Sequence, residues 1–240
     1  ELGVNNGKLH VYIDIGTPDA SPYADYGTTG SIGTGQWSFV AVTYEDGKIT
    51  AFINDQVYED TDTWSGGGTL ADSDGSDFTI GSSQHIDNYF HGRIDEVRVF
   101  STTFTQDEIN DIREITRPCS GPCYTDAVAA YRMENYPWDG SDDEVVDSGT
   151  GSSNGTAAGE GSGDLASQTT PSGGKVCRSG VFDRIDNNNG SYLDIGDPAD
   201  GDLDPGTSPW TVSAWINWDG SSGNHIIYNK ENLYEARVPG

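Results

Sequence analysis

Four carboxylates fall within the six residues Asp142-Asp143-Glu144-Val145-Val146-Asp147, so glycoside hydrolysis is the first chemistry to test. Retaining enzymes hold two carboxyl groups about 5 Å apart across the scissile bond. This run is clustered just ahead of a Gly/Ser loop, with the wrong spacing for that arrangement. Asp72 to Asp77, "DSDGSD", starts like a calcium-binding loop but lacks the terminal Glu at the required distance. His10, His85, His91 and His225 stand singly on strands or turns, with no H-E-x-x-H pair to grip zinc. No Gly-x-Ser-x-Gly elbow, P-loop or dinucleotide fingerprint occurs, and "GTTGSIGTG" lacks the strand-to-helix setting a phosphate loop needs. The residues point away from an enzyme.

Cys119, Cys123 and Cys177 allow one disulfide with one thiol left over, the usage of an exported protein. Which two pair stays open. The 240-residue chain carries 39 acidic and 12 basic residues, a net charge of −27. That acidity is spread evenly: residues 1–118 hold 20 acidic and 6 basic groups, and residues 119–240 hold 19 and 6. Such a field repels nucleic acid and anionic lipid and collects cations. No apolar run approaches the roughly 18 residues of a membrane span. The start at "ELGVNNGK", without Met, reads as a processed or excised segment. An extracellular location is expected.

Apolar residues make up 33% of the chain and glycine contributes 32 residues, which suits short strands joined by many turns. Leu9, Val11, Ile13 and Ile15 alternate with polar neighbours, the period of a half-buried strand. "QWSFVAVTYEDGKITAFIND" reads as a hairpin turning at Asp46-Gly47. "DFTIGSS" predicts a short strand, and "GRIDEVRVF" a longer one alternating Ile94, Val97 and Val99 with charges. Thr105 to Glu108 form a capping box ahead of Ile109, Ile112 and Ile115, so a short helix should run to about Glu114. "TRPCSGPCYT", with two prolines, is the best linker. Beyond it, "DAVAAYRMEN", "CRSGVFDR", "SYLDIG", "WTVSAWINW" and "HIIYNKENLYEARV" read as strands, the Trp-rich one as central. The polar stretch from Asp139 to Gly174 reads as surface loop, and Asn154-Gly-Thr and Asn189-Gly-Ser as turns.

Taken together, "NNGKLHVYI", "GQWSFVAVTYEDGKITAFINDQ", "TIGSS", "FHGRIDEVRVF…TQDEI", "AVAAYRMEN", "VVDSGTGSSNGTA", "GVFDR", "SYLDIGD", "WTVSAWINW" and "IIYNK" resemble the laminin-G-like, concanavalin A-like jelly-roll family of bacterial surface proteins. The combination is similar to modules of proteins of mannose-sensitive haemagglutinin pilus biogenesis. The resemblance implies an all-β, antiparallel two-sheet jelly-roll sandwich with one short helix. It also implies a permuted order: residues 1–117 match the C-terminal half of such a module, 118–123 link, and 124–240 match the N-terminal half. Half a jelly roll exposes strand edges and an apolar face. The two halves should therefore complete one sandwich, within the chain or with a neighbouring copy in a domain-swapped or head-to-tail assembly.

The same resemblance implies a Ca2+ ion held by Asp95 in the last strand together with backbone carbonyls, with Asp183 and Glu134 as companions; a salt bridge from Asp95 to Arg93 or Arg98 is the alternative. Glucanases on this fold carry Glu-x-Asp-x-Glu along one strand, and that run is missing. Sugar sites on it use exposed aromatics, for which Tyr23, Tyr26, Trp64, Tyr89 and Trp138 are the candidates. The expected function is a non-catalytic extracellular structural or adhesion module of a bacterial appendage, able to assemble with copies of itself. A calcium-assisted glycan-binding module is the alternative. Neither nucleic acid nor membrane insertion is expected.

Overall fold

The computed structural model describes residues 1–14, 23–60, 77–83, 88–115, 126–198, 201, 203–204 and 208–230. Its strands, in chain order, are β1 (Leu2–Asn5), β2 (Lys8–Asp14), β3 (Tyr23–Gly27), β4 (Trp37–Glu45), β5 (Lys48–Ile53), β6 (Gln56–Glu59), β7 (Phe78–Ile80) and β8 (Gly92–Phe100). The helix α1 (Gln106–Glu114) follows, then β9 (Ala129–Tyr131), β10 (Thr156–Glu160), β11 (Ser167–Gln168), β12 (Gly180–Phe182), β13 (Gly190–Gly196), β14 (Trp210–Trp218) and β15 (Asn224–Lys230). No helix among the described residues is long and apolar enough to cross a membrane.

Two antiparallel sheets form. One runs β10-β13-β7-β15-β1-β2-β3; the other runs β11-β12-β8-β14-β4-β5-β6, with β9 also on β8. Strands of residues 1–115 and of residues 126–230 alternate across both. The ladders β13–β7, β7–β15 and β15–β1 join the two halves in one sheet, and β12–β8, β8–β14, β14–β4 and β8–β9 join them in the other. The sandwich is thus closed within one chain, with β14 in the interior of its sheet. Its ladder with β4 runs unbroken from Trp210↔Tyr44 to Asn217↔Trp37.

Alternation along the strands sends one set of side chains between the sheets, including Leu9, Val11, Val40, Val42, Ile80, Leu193, Val212 and Ile216. A second apolar cluster lies on the outer face of the eight-stranded sheet: Phe39, Ala41, Phe52, Phe100 and Trp215, with Ile109 and Ile112 of α1. The helix exists where the capping box places it. Thr105 accepts the amide of Glu108, and the Glu108 side chain accepts the Thr105 amide at 2.8 Å. The β4–β5 hairpin turns at Asp46 and Gly47 with φ of 48° and 81°, the left-handed pair that Asp-Gly tolerates. At the start of β8, Gly92 has φ 141°, and a Cβ there would stand 2.2 Å from the Asn217 carbonyl oxygen. Glycine lets β14 come this close.

Two expectations change. The stretch from Asp139 to Gly174 is not all surface loop, since it contributes β10 and β11 and buries Val145, Ala157 and Ala166. Its strands are short, lie at or beside sheet edges, and carry small residues, so they show almost no hydrophobic period. Nor does β8 alternate simply. Glu96 adopts φ 51°, and the register with β14 shifts between Ser213 and Trp215. This bulge lets Ile94 and then Val97 and Val99 all face the core, and it turns the intervening carboxylates to the outer face.

Candidate functional site

The bulge in β8 places Asp95 on the outer face of the eight-stranded sheet, fully buried. Its Oδ2 accepts the backbone N–H of Lys175 and of Val176, each at 2.9 Å. Two successive amides aimed at one oxygen form a small anion-binding nest. The segment supplying them, Gly173 to Arg178, is strapped across the sheet by further contacts. Arg93 donates to the Gly173 carbonyl at 3.0 Å, and the Lys175 ammonium sits 4.0 Å from the centre of the Trp215 ring. The Arg178 amide donates to Glu134 Oε1 at 3.1 Å. Cys177, within the strap, is disulfide-bonded. Cys119 and Cys123 lie outside the described residues.

The arginines are occupied elsewhere, so the salt-bridge alternative for Asp95 does not hold. Arg98 pairs with Glu96, both buried, and Arg132 Nε lies 3.8 Å from Glu96 Oε1. Asp95 Oδ1 has no hydrogen-bond partner. Burial pushes the Asp95 carboxyl well above the usual carboxylate range. The Val176 amide pulls it back, and the charges of Glu96 and Glu134 push it further up. Burial also raises Glu134, against the pull of the Arg178 amide and of Arg132.

A calcium ion takes six to eight oxygens, carboxylate and carbonyl mixed. The unpartnered oxygen of Asp95, with Glu134 close enough to act on it through charge, fits the acidic share of such a set. Asp183 does not join it. That side chain is exposed and its Oδ1 lies 3.3 Å from His91 Nε2, because it falls just past β12, opposite the start of β8 rather than its bulge. No group of three His, Cys, Asp or Glu side chains among the described residues is arranged to hold a metal. An ion at Asp95 therefore needs carbonyls and water for most of its shell.

A second polar cluster occupies one rim of the sandwich. His91 Nδ1 lies 3.0 Å from Asp219 Oδ2, and Ser221 donates its hydroxyl to Asp219 Oδ1 at 2.6 Å. His225 is fully buried at the end of the core, with Nε2 3.3 Å from Ser221 Oγ and 3.1 Å from Arg184 Nη1. Nε2 also lies 3.1 Å from the Ser221 carbonyl oxygen, and the Ser221 hydroxyl is given to Asp219 rather than to the ring. Burial and Arg184 both lower the His225 pKa, keeping the ring neutral. These groups tie the β12–β13 connection to the β14–β15 turn: Arg184 also donates to the Ser222 carbonyl at 2.9 Å.

The aromatics chosen from sequence are placed variously. Tyr89 is fully buried and packs on Tyr192 at 6.3 Å between ring centres, and Trp138 belongs to the core between the sheets. Neither offers a face to a ligand. Both stand among polar, turn-forming neighbours, so their loop-like setting concealed the inward direction of the side chains. Tyr23 and Tyr26 lie on β3, the edge strand of the seven-stranded sheet, with side chains outside the described set; Trp64 and His85 also lie outside the described residues. Tyr136, not singled out from sequence, is the exposed aromatic among the described residues at 67%. Only its place between the polar pair Glu134-Asn135 and Pro137 could have marked it.

A family model described as the concanavalin A-like lectin/glucanases superfamily matches residues 1–110. No curated protein and no solved structure matches the chain. The matched part spans β1 to β8 and most of α1, and the strands that complete both sheets come from the remainder. Among the described residues there are two antiparallel sheets and a single short helix, a fold consistent with a concanavalin A-like sandwich.

Proposed function

We propose that this chain is a non-catalytic, extracellular β-sandwich module of the structural or adhesion kind carried by bacterial surface appendages. The observation that carries this reading is how the polar side chains at these positions are spent. Asp95 holds the strap, Arg184 and His225 hold the rim, and Glu144 accepts the amides of Asp139, Gly140 and Ala157 to hold a loop. Each fastens backbone to backbone, and none leaves a nucleophile and a base facing a common point where a reacting atom could sit. The outer groove of 570 Å³ lined by Thr43, Thr50, Val57, Glu59, Phe104 and Gln106 likewise holds a single carboxylate, already 3.2 Å from Lys48. The strong negative charge and the disulfide suit an exported protein. Incubation with a panel of polysaccharides should release no reducing ends. Hydrolysis that Glu134→Gln abolished would overturn the assignment.

A second reading, calcium-assisted glycan binding, is favoured by the buried, unpartnered Oδ1 of Asp95. When bound, the ion would neutralise Asp95 and Glu134 and fasten the strap, leaving the neighbouring surface ordered for a ligand. Glycan retention that disappears in chelator and returns with calcium is the expected result. Assembly with copies of itself would use the seven ladders that join the halves, exchanged between chains. Light scattering across a dilution series checks this, and a monomer at every concentration would dismiss it.

A further inference from the structure

We infer that Tyr136 is the stacking platform of a subsite for neutral glycans beside the strap, with Glu134 and Arg178 as its polar partners; this rests on the glycan-binding reading above. The ring is 67% exposed, whereas the other aromatics with described side chains are buried or half-buried. One side of it is held: the Arg178 guanidinium lies 4.5 Å from the ring centre. Arg178 is itself fixed, donating from Nη1 to the Thr169 carbonyl at 2.7 Å and from its backbone amide to Glu134 Oε1 at 3.1 Å. The preceding residue, Cys177, is disulfide-bonded. The ring is therefore pinned before any ligand arrives, which removes much of the ordering cost of binding.

The ligand class follows from what the surroundings offer. A pyranose has an apolar C–H face that lies flat on an aromatic ring and a rim of hydroxyls that seek charged or amide partners. Tyr136 supplies the ring. Glu134, half-buried and two residues before it in the chain, supplies an acceptor for hydroxyl protons, and Arg178 supplies donors. The net charge of −27 disfavours carboxylated and sulfated sugars, so a neutral glycan is the fitting partner. Truncating an exposed ring opens no cavity in the core, so binding and folding are separable at this position.

The test uses the full chain, immobilised in calcium, against an array of neutral, uronic and sulfated oligosaccharides. Wild type should retain neutral members. Tyr136→Ala should weaken retention about tenfold, and Tyr136→Phe, which keeps the ring, should stay within about twofold of wild type. All three proteins should share one melting temperature. If wild type binds neutral glycans and Tyr136→Ala binds them equally well, the platform is refuted while the glycan reading stands. Retention of sulfated or uronic sugars alone overturns the neutral class. An array blank for wild type removes both this subsite and the glycan reading it rests on.

Discussion

Asp95 accepts the backbone N–H of Val176, 81 residues further along the chain, at 2.9 Å. Asp95 belongs to the first half of the sequence and Val176 to the second, so this contact exists only once the halves have folded together. The nest at Asp95 is thus a fastening between the halves.

Asp95 gives a pH prediction with a definite sign. Burial raises its carboxyl, so the folded chain binds the proton more tightly than the unfolded chain does. Stability from this group is fully present below the ordinary carboxylate value, about 3.9, and is lost as the pH rises from there through the raised folded value. Glu134 acts in the same direction. In chelator, wild type should lose melting temperature relative to Asp95→Asn as the pH climbs through this window. Calcium at neutral pH should restore the wild type and leave Asp95→Asn unmoved. Parallel pH curves for the two proteins, with and without calcium, would count against any ionic role for Asp95.

His225 works at the acid side. Its pKa is lowered by burial and by Arg184, so the unfolded chain takes up this proton first as the pH falls. Its stabilising contribution should fade as the pH drops through about 6.5 toward the lowered folded value. The stability gap between wild type and His225→Gln, measured by denaturant titration, should shrink from pH 7.5 to pH 5, about two and a half pH units that span this window. A gap that stays constant would mean the ring binds its proton equally well in the folded and unfolded chains.

The helix cap offers a magnitude. Thr105→Ala removes one side of the capping box and should cost about 0.5–2 kcal/mol. Ile112→Ala, which truncates a buried side chain in the cluster with Phe39, Phe52 and Phe100, should cost about 2–5 kcal/mol. Equal losses from both changes would show that α1 stands by its cap rather than by the face it lays on the sheet.

Expressed separately, residues 1–117 and 124–240 should each fail to melt cooperatively. Removing either half exposes strand edges in both sheets, because seven ladders run between them. A soluble, compact, cooperatively melting half would contradict this dependence.

The sequence alone determined what local interactions decide. Asp46-Gly47 sets the β4–β5 turn, Thr105 and Glu108 start α1, and the tryptophan-rich run of β14 marks an interior strand; in each case the energy comes from residues a few positions apart or from burial on both faces. Long-range placement was legible only in outline. The glycine- and serine-rich segment from Asp139 to Gly174 hid β10 and β11, since small residues beside a sheet edge leave no period to read. The bulge at Glu96, the orphaned oxygen of Asp95, the separation of Asp183 from it, the burial of Tyr89 and Trp138 and the exposure of Tyr136 all depend on which strand lies alongside. Only the tertiary structure decided those, because a side chain's solvent and hydrogen-bond partners come from segments that the chain brings together over many tens of residues.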